Sequence, residues 1–313
     1  MIIIGILVAI FAGIGIWIGN FFYDLALNPH GKLSIPESED GGEKLPFETD
    51  FSWIESSQPK NVYIKSRDGL KLHAYAVEHP GTRRWLILCH GYMSCAKSMS
   101  CLGEAFYDMG FNVLLPDARG HGESEGKYYG MGWHDRKDVL RWVAYLNKVY
   151  HHPPMALYGI SMGGATVMMA SGEKLPKNVE IIIEDCGYTS IDEEFTFNLK
   201  NLFKLPKFPF LYLASMVTKM RAGYSLLTDG SALKQVAKSV TPTLFIHGSD
   251  DHFVPTYMVN KIYDAAKCPK EKLVIQGAEH GLSSWVAPDI YKKKVKEFVE
   301  RYMTPEEKAG KTS

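Results

Sequence analysis

The sequence is notable first for the charge it lacks. Its 35 basic residues are cancelled by 35 acidic ones, so it has no positive surplus of the kind that holds a phosphate backbone, and nucleic acid is not an expected partner. Cysteine is sparse and odd in number. Cys89, Cys95, Cys101, Cys186 and Cys268 show no C-x-x-C spacing and no grouping with histidine, which excludes a zinc site of the usual pattern and a disulfide framework. Cys95 and Cys101 are expected as free thiols, with a Cys95–Cys101 pair as the alternative, and no metal or organic cofactor is expected. Charge is missing locally as well: Met1 to Gly19 contain no ionisable side chain. No basic segment precedes this run and no A-x-A site follows it, so it does not read as a cleaved signal peptide.

That run is long enough to be an anchor. Nineteen helical residues span about 28 Å, close to the ~30 Å hydrocarbon layer of a bilayer, and Phe21, Phe22 and Tyr23 form an aromatic border. Gly5, Gly13, Gly15 and Gly19 give a small-residue face suited to packing another helix, so pairing of two anchors into a homodimer is one reading and simple tolerance of glycine in a membrane the equal alternative. The flanking charges, the amino terminus and Lys32 against Asp24, fix no orientation. A single-pass protein with an extracytoplasmic catalytic domain is the working expectation. Residues 28–50 are rich in Pro, Gly, Ser and acidic side chains and read as a linker. The expected division is an anchor over 1–23, a linker over 24–60, a catalytic domain over 61–303 and a polar tail over 304–313.

Within the domain, β-prone segments at 61–65 and 70–77 flank a hairpin signal, Ser66-Arg67-Asp68-Gly69. The continuous apolar run 85–89 is of the type buried on both faces of a parallel sheet. Strands at 112–115, 155–158, 179–183, 243–246 and 272–275 then alternate with helices at 98–109, 133–150, after residue 161, at 255–266 and at 289–302. Such alternation predicts an α/β architecture, a mostly parallel eight-stranded sheet covered on both faces. One segment breaks it. Residues 187–230 are crowded with bulky apolar side chains and broken at Pro206 and Pro209, and they leave from the carboxyl end of a strand, where open sheets place ligands; they read as a short helical lid.

The chemistry centres on Gly159-Ile160-Ser161-Met162-Gly163, a G-x-S-x-G pentapeptide between an apolar strand and a small-residue helix start. The glycines relieve crowding where strand turns into helix, and the helix aims unpaired amides and its positive end at the serine. A serine hydroxyl needs a base, and the base needs an acid to fix its tautomer. Of eleven histidines, His280 in Gly277-Ala278-Glu279-His280-Gly281 is best placed, in a loop directly after a strand. Asp251 in the loop after 243–246 is the preferred acid; Asp250 beside it and Asp185 after the preceding strand are alternatives.

These residues, with His90-Gly91, the run Asp117 to Ser124 and His247-Gly248-x-x-Asp251-x-x-Val254-Pro255, resemble an α/β-hydrolase of the serine-esterase kind over about residues 60–303. It is most similar to bacterial membrane-anchored or secreted members with a short lid. The resemblance implies Ser161 as nucleophile, His280 as base and Asp251 as acid, with an oxyanion hole from the backbone N–H groups of Tyr92 and Met162. It gives the Asp117 to Ser124 run, His121 included, a structural role. A single glycine follows His90 where lipases of the HGGG form have three, so bulky tertiary-alcohol esters are not expected substrates. The implied partner is a small or lipid-like apolar ester; a peptide, amide or thioester is the alternative, and a non-enzymatic binding module the remote third.

Overall fold

A computed structural model describes residues 2–31 and 49–305. The expected polar tail from 306 and the middle of the expected linker, 32–48, lie outside the described residues. Eight strands form one sheet in the order β1-β2-β4-β3-β5-β6-β7-β8. They are β1 Lys60–Lys65, β2 Lys71–Val77, β3 Trp85–Cys89, β4 Asn112–Pro116, β5 Met155–Ile160, β6 Val179–Asp185, β7 Thr243–Gly248 and β8 Lys270–Ile275. The sheet is mixed through one strand: β2 pairs antiparallel with both β1 and β4, and every other pairing is parallel. This is an α/β-hydrolase fold.

The central strands are apolar on both faces because both faces are covered. Leu86, Leu88, Tyr158, Ile181 and Ile183 face one layer, where α3 (Ser100–Asp108) contributes Phe106 and the last helix, α11 (Pro288–Tyr302, after α9 Tyr257–Ala265 and α10 Ser283–Val286), contributes Val295 and Phe298. Ile87, Leu114, Leu157 and Ile182 face the other, against Val139, Trp142 and Leu146 of α4 (Asp135–Val149) and Val167 and Ala170 of α5 (Met162–Ser171). Tyr291, Val295 and Phe298 of α11 are buried on one helical face, as their spacing predicts.

Between β6 and the short α8 (Ala232–Val236) lies the lid segment. It holds α6 (Ile191–Phe203) and α7 (Phe210–Ala222), divided at the proline-containing stretch 204–209. Ser190 caps α6, its hydroxyl accepting the Glu193 N–H.

The N-terminal helix, α1 (Ile2–Ala26), is the one described helix long and apolar enough to cross a membrane, judged on Ala9–Ala26. Along it Ile3, Ile4, Ile10, Phe11, Ile14, Ile16 and Trp17 are exposed. Its second half is packed. A Cβ on Gly15 would sit 3.3 Å from the Leu213 side chain, and one on Gly19 2.7 Å from the Leu213 carbonyl oxygen, so α7 of the same chain occupies that glycine face. Arg221 bonds Asn20 and Asp24 and stacks over the Tyr23 ring. Leu25 and Leu27 are buried, and the Leu27 carbonyl accepts the Tyr129 N–H. Both described ends of the expected linker therefore lie on the domain, since α2 (Ser52–Ser56) also buries Ile54 and sets Trp53 against Gly103.

Candidate active site

Ser161 occupies the turn from β5 into α5 with φ 55° and ψ −117°, a conformation that costs a non-glycine residue about 1–3 kcal/mol and persists only when its surroundings enforce it. They do. Its N–H donates to the Asp185 carbonyl at 2.8 Å and its carbonyl accepts the Ala165 N–H at 2.9 Å. A Cβ on Gly159 would lie 2.1 Å from the Gly163 oxygen, and one on Gly163 2.1 Å from the Cys89 oxygen. The two glycines are thus required by backbone packing around the serine.

His280, in the loop after β8, brings Nε2 to 2.8 Å from Ser161 Oγ and Nδ1 to 2.7 Å from Asp251 Oδ2. With Nδ1–H donating to the carboxylate, Nε2 is left to accept the serine proton. Asp251 follows β7, and its other oxygen accepts the Phe253 and Val254 N–H groups at 3.0 and 2.8 Å. Burial pushes the Asp251 carboxyl up, but His280 and then His247 outweigh it and hold the group well below the usual carboxylate range. Of the three candidate acids, Asp251 is the one joined to His280. Asp250 is exposed and accepts from the Ser249 hydroxyl; Asp185 is buried and accepts from the Tyr291 hydroxyl at 3.0 Å.

Met162 opens α5, where the first amides have no carbonyl within the helix to bond. Across from it, a Cβ on Gly91 would lie 3.6 Å from Ser161 Cβ. His90 is buried; its Nδ1–H donates to the Gly91 oxygen at 2.7 Å and its Nε2 accepts the Ala118 N–H at 3.0 Å. Pinning that carbonyl turns the Tyr92 N–H of the same trans peptide away from His90. The Tyr92 side chain donates to the Ala26 carbonyl at 2.7 Å and packs edge-on to Tyr129.

The Asp117 to Ser124 run is used up in the scaffold. Asp117 accepts from His73 Nδ1 and from the Ala96 and Glu123 N–H groups, while His121 stacks on Tyr129 and burial pushes its imidazole down to about 3. Three features were not anticipated from sequence: the Phe253 ring 5.1 Å from the His280 ring, His247 Nε2 3.2 Å from the Asp251 carboxylate, and the end of α1 beside Tyr92. Only the third had a signal, the apolar Leu25 and Leu27 beyond the aromatic border.

A family model described as serine aminopeptidase, S33, matches residues 80–208. The chain is 28% identical over 302 residues to the protein YqkD of Bacillus subtilis, covering 96% of each. Among solved structures it is similar to the Pyrococcus furiosus esterase Pf2001, at 27% identity and a TM-score of 0.67, covering 84% of this chain and 96% of that one. It also shares its fold with Est1E of Butyrivibrio proteoclasticus, solved with ferulic acid, at 22% identity and a TM-score of 0.61, over 77% and 98% of the two chains. The chain belongs to the α/β-hydrolase superfamily. Within it, this is an esterase-like hydrolase.

Proposed function

We propose that the protein is a membrane-tethered serine carboxylic-ester hydrolase that works through an acyl-enzyme on apolar, small or lipid-like esters. The observation that carries the reading is the unbroken hydrogen-bonded line from Ser161 Oγ through His280 to Asp251, 2.8 and 2.7 Å in its two links. Ser161 Oγ attacks the ester carbonyl carbon as His280 Nε2 takes its proton; the Met162 and Tyr92 amides hold the tetrahedral oxyanion. His280 returns the proton to the departing alkoxide oxygen, and water, activated by the same imidazole, then releases the acid from Ser161. The tether is α1, and the lid adds an exposed apolar stripe, Phe208, Tyr212, Met216 and Met220 at four-residue spacing, beside it.

A peptidase reading is favoured by one residue. Glu194 on α6 is buried with one oxygen accepting from Asn198 Nδ2 and the other unpartnered among the described residues, a group that a peptide's ammonium would satisfy. The ester reading is preferred because burial pushes the Glu194 carboxyl well up, which disfavours the charge an ammonium would pair with, and because several other lid charges are paired: Glu193 with Lys261, Asp192 with Lys207, Arg221 with Asp24.

The test is hydrolysis of p-nitrophenyl esters from acetate to palmitate, and of amino-acid p-nitroanilides, by the full chain in detergent beside Ser161→Ala. Ester cleavage that disappears in the variant is the expected result. Anilide cleavage without ester cleavage turns the assignment to the peptidase.

A further inference from the structure

Several features outside the hydrogen-bonded line have no role in the mechanism: the buried carboxylates, the Cys186 thiol, a pocket lined by His90, Asp135 and Met162, and a narrow apolar cavity. The cavity lies between the second half of α1 and the two lid helices, lined by Phe22, Leu25 and Ala26 from α1, by Asn198 and Leu199 from α6, and by Leu211 from α7, among others. Its lining is almost wholly carbon. Two direct bonds tie that lining to the residues around Ser161. The Ala26 carbonyl takes the Tyr92 hydroxyl, and Asn198 Nδ2 donates to the carbonyl of Phe253, whose ring faces His280. Met162, Phe253, Tyr92, Phe22 and Leu211 belong to one continuous apolar cluster. Tyr92 and Phe253 therefore each touch both the cavity lining and the surroundings of Ser161 and His280.

We propose that this cavity is the acyl-chain site and that the N-terminal helix, besides tethering the protein, is a wall of it that sets the acyl length accepted. The inference rests on the ester-hydrolase reading above and names the substrate class for that site, esters of unbranched acyl chains. An acyl group bound to Ser161 Oγ passes between Tyr92 and Phe253 and lies along Ala26 and Leu211, where each added methylene leaves water for carbon. The occupant is an acyl chain because the lining offers no charge and one amide. Phe22, part of the lining, packs edge-on to Phe203 and Phe210.

The experiment compares full-length wild type with Ala26→Phe and Leu211→Trp, which fill the cavity from opposite walls, and with Phe22→Ala, which extends it. The readout is the ratio of kcat/KM for a decanoyl ester to that for acetyl, so that a general loss of fold, which lowers both, is separated from a change in the site. Both filled variants are expected to lower the ratio at least about ten-fold, and Phe22→Ala to raise it for still longer chains. A ratio unchanged in both filled variants overturns the proposal. If wild type cuts no ester at all, the ester reading fails, and the cavity is judged by labelling of Ser161 with alkyl fluorophosphonates. A rate that climbs with alkyl length in wild type and not in Ala26→Phe upholds it; parallel rates overturn it.

Discussion

At the scale of single residues, Asp251 carries two separable duties. In the proposed mechanism it holds His280 in the tautomer that accepts the serine proton, and in the fold it is a buried, well-bonded anion. Asp251→Asn is expected to cut kcat by about 10⁴-fold, because the amide can donate where the imidazole must. The sign of its stability effect follows from the depressed carboxyl: the folded state binds the proton less readily than the unfolded one, so the contribution is full above the unfolded value near 3.9 and is lost as the pH falls through the lower folded value. Wild type should exceed Asp251→Asn in stability at neutral pH, and the difference should shrink on acidification below about pH 4. Urea denaturation at stepped pH measures this, and a gap that does not shrink refutes it. Ser161, His280 and Asp251 were legible in the sequence because each sits in a glycine-marked loop at a strand's carboxyl end. Phe253 and His247 were not, because contact with a loop side chain leaves no periodicity to read.

At the scale of elements, the strands were legible for a single reason: a run buried on both faces has to be apolar throughout. The neighbour order was not, since β4 inserts between β2 and β3 and parallel pairing leaves no mark on either sequence. The lid was legible as a segment but not as a seat for Glu194. Its carboxyl is raised by burial first and by Asp251 second, so the folded state keeps a proton the unfolded chain gives up near pH 4.3. Stability is therefore undiminished below that value and declines as pH rises above it, the reverse of Asp251. Glu194→Gln keeps the oxygen that accepts from Asn198 and carries no charge to desolvate. The variant should match wild type near pH 4 and resist denaturation better near pH 8, with α6 less open to protease. Equal pH profiles for the two proteins would place the proton elsewhere.

At the scale of the whole molecule, the boundary at residue 23 drawn from the end of the charge-free run does not coincide with the place where α1 stops serving the domain. Hydropathy marks what a membrane tolerates, and it is blind to which side chains the lid covers. The contacts with α7 rise in step, Gly15 with Leu213, Gly19 with Val217 and Asp24 with Arg221, so the two helices run side by side in the same direction. Tyr23, Leu25 and Leu27 are all buried at the end of that contact, while residues up to Ile14 are exposed wherever described. Two truncations separate the roles. A chain lacking residues 1–12 keeps every one of these contacts and should melt, in detergent, within about 2 °C of the full chain, since surface changes cost little. A chain lacking residues 1–23 loses the Phe22 and Tyr23 rings and the Arg221 partners Asn20 and Asp24. Removing aromatic side chains from a packed site costs about 3–5 kcal/mol apiece, and for a domain of this size a kilocalorie moves Tm by ~2–4 °C, so a fall of roughly 10 °C or more is expected. Equal melting of the two truncations would show that α1 is an anchor alone and that the lid stands without it.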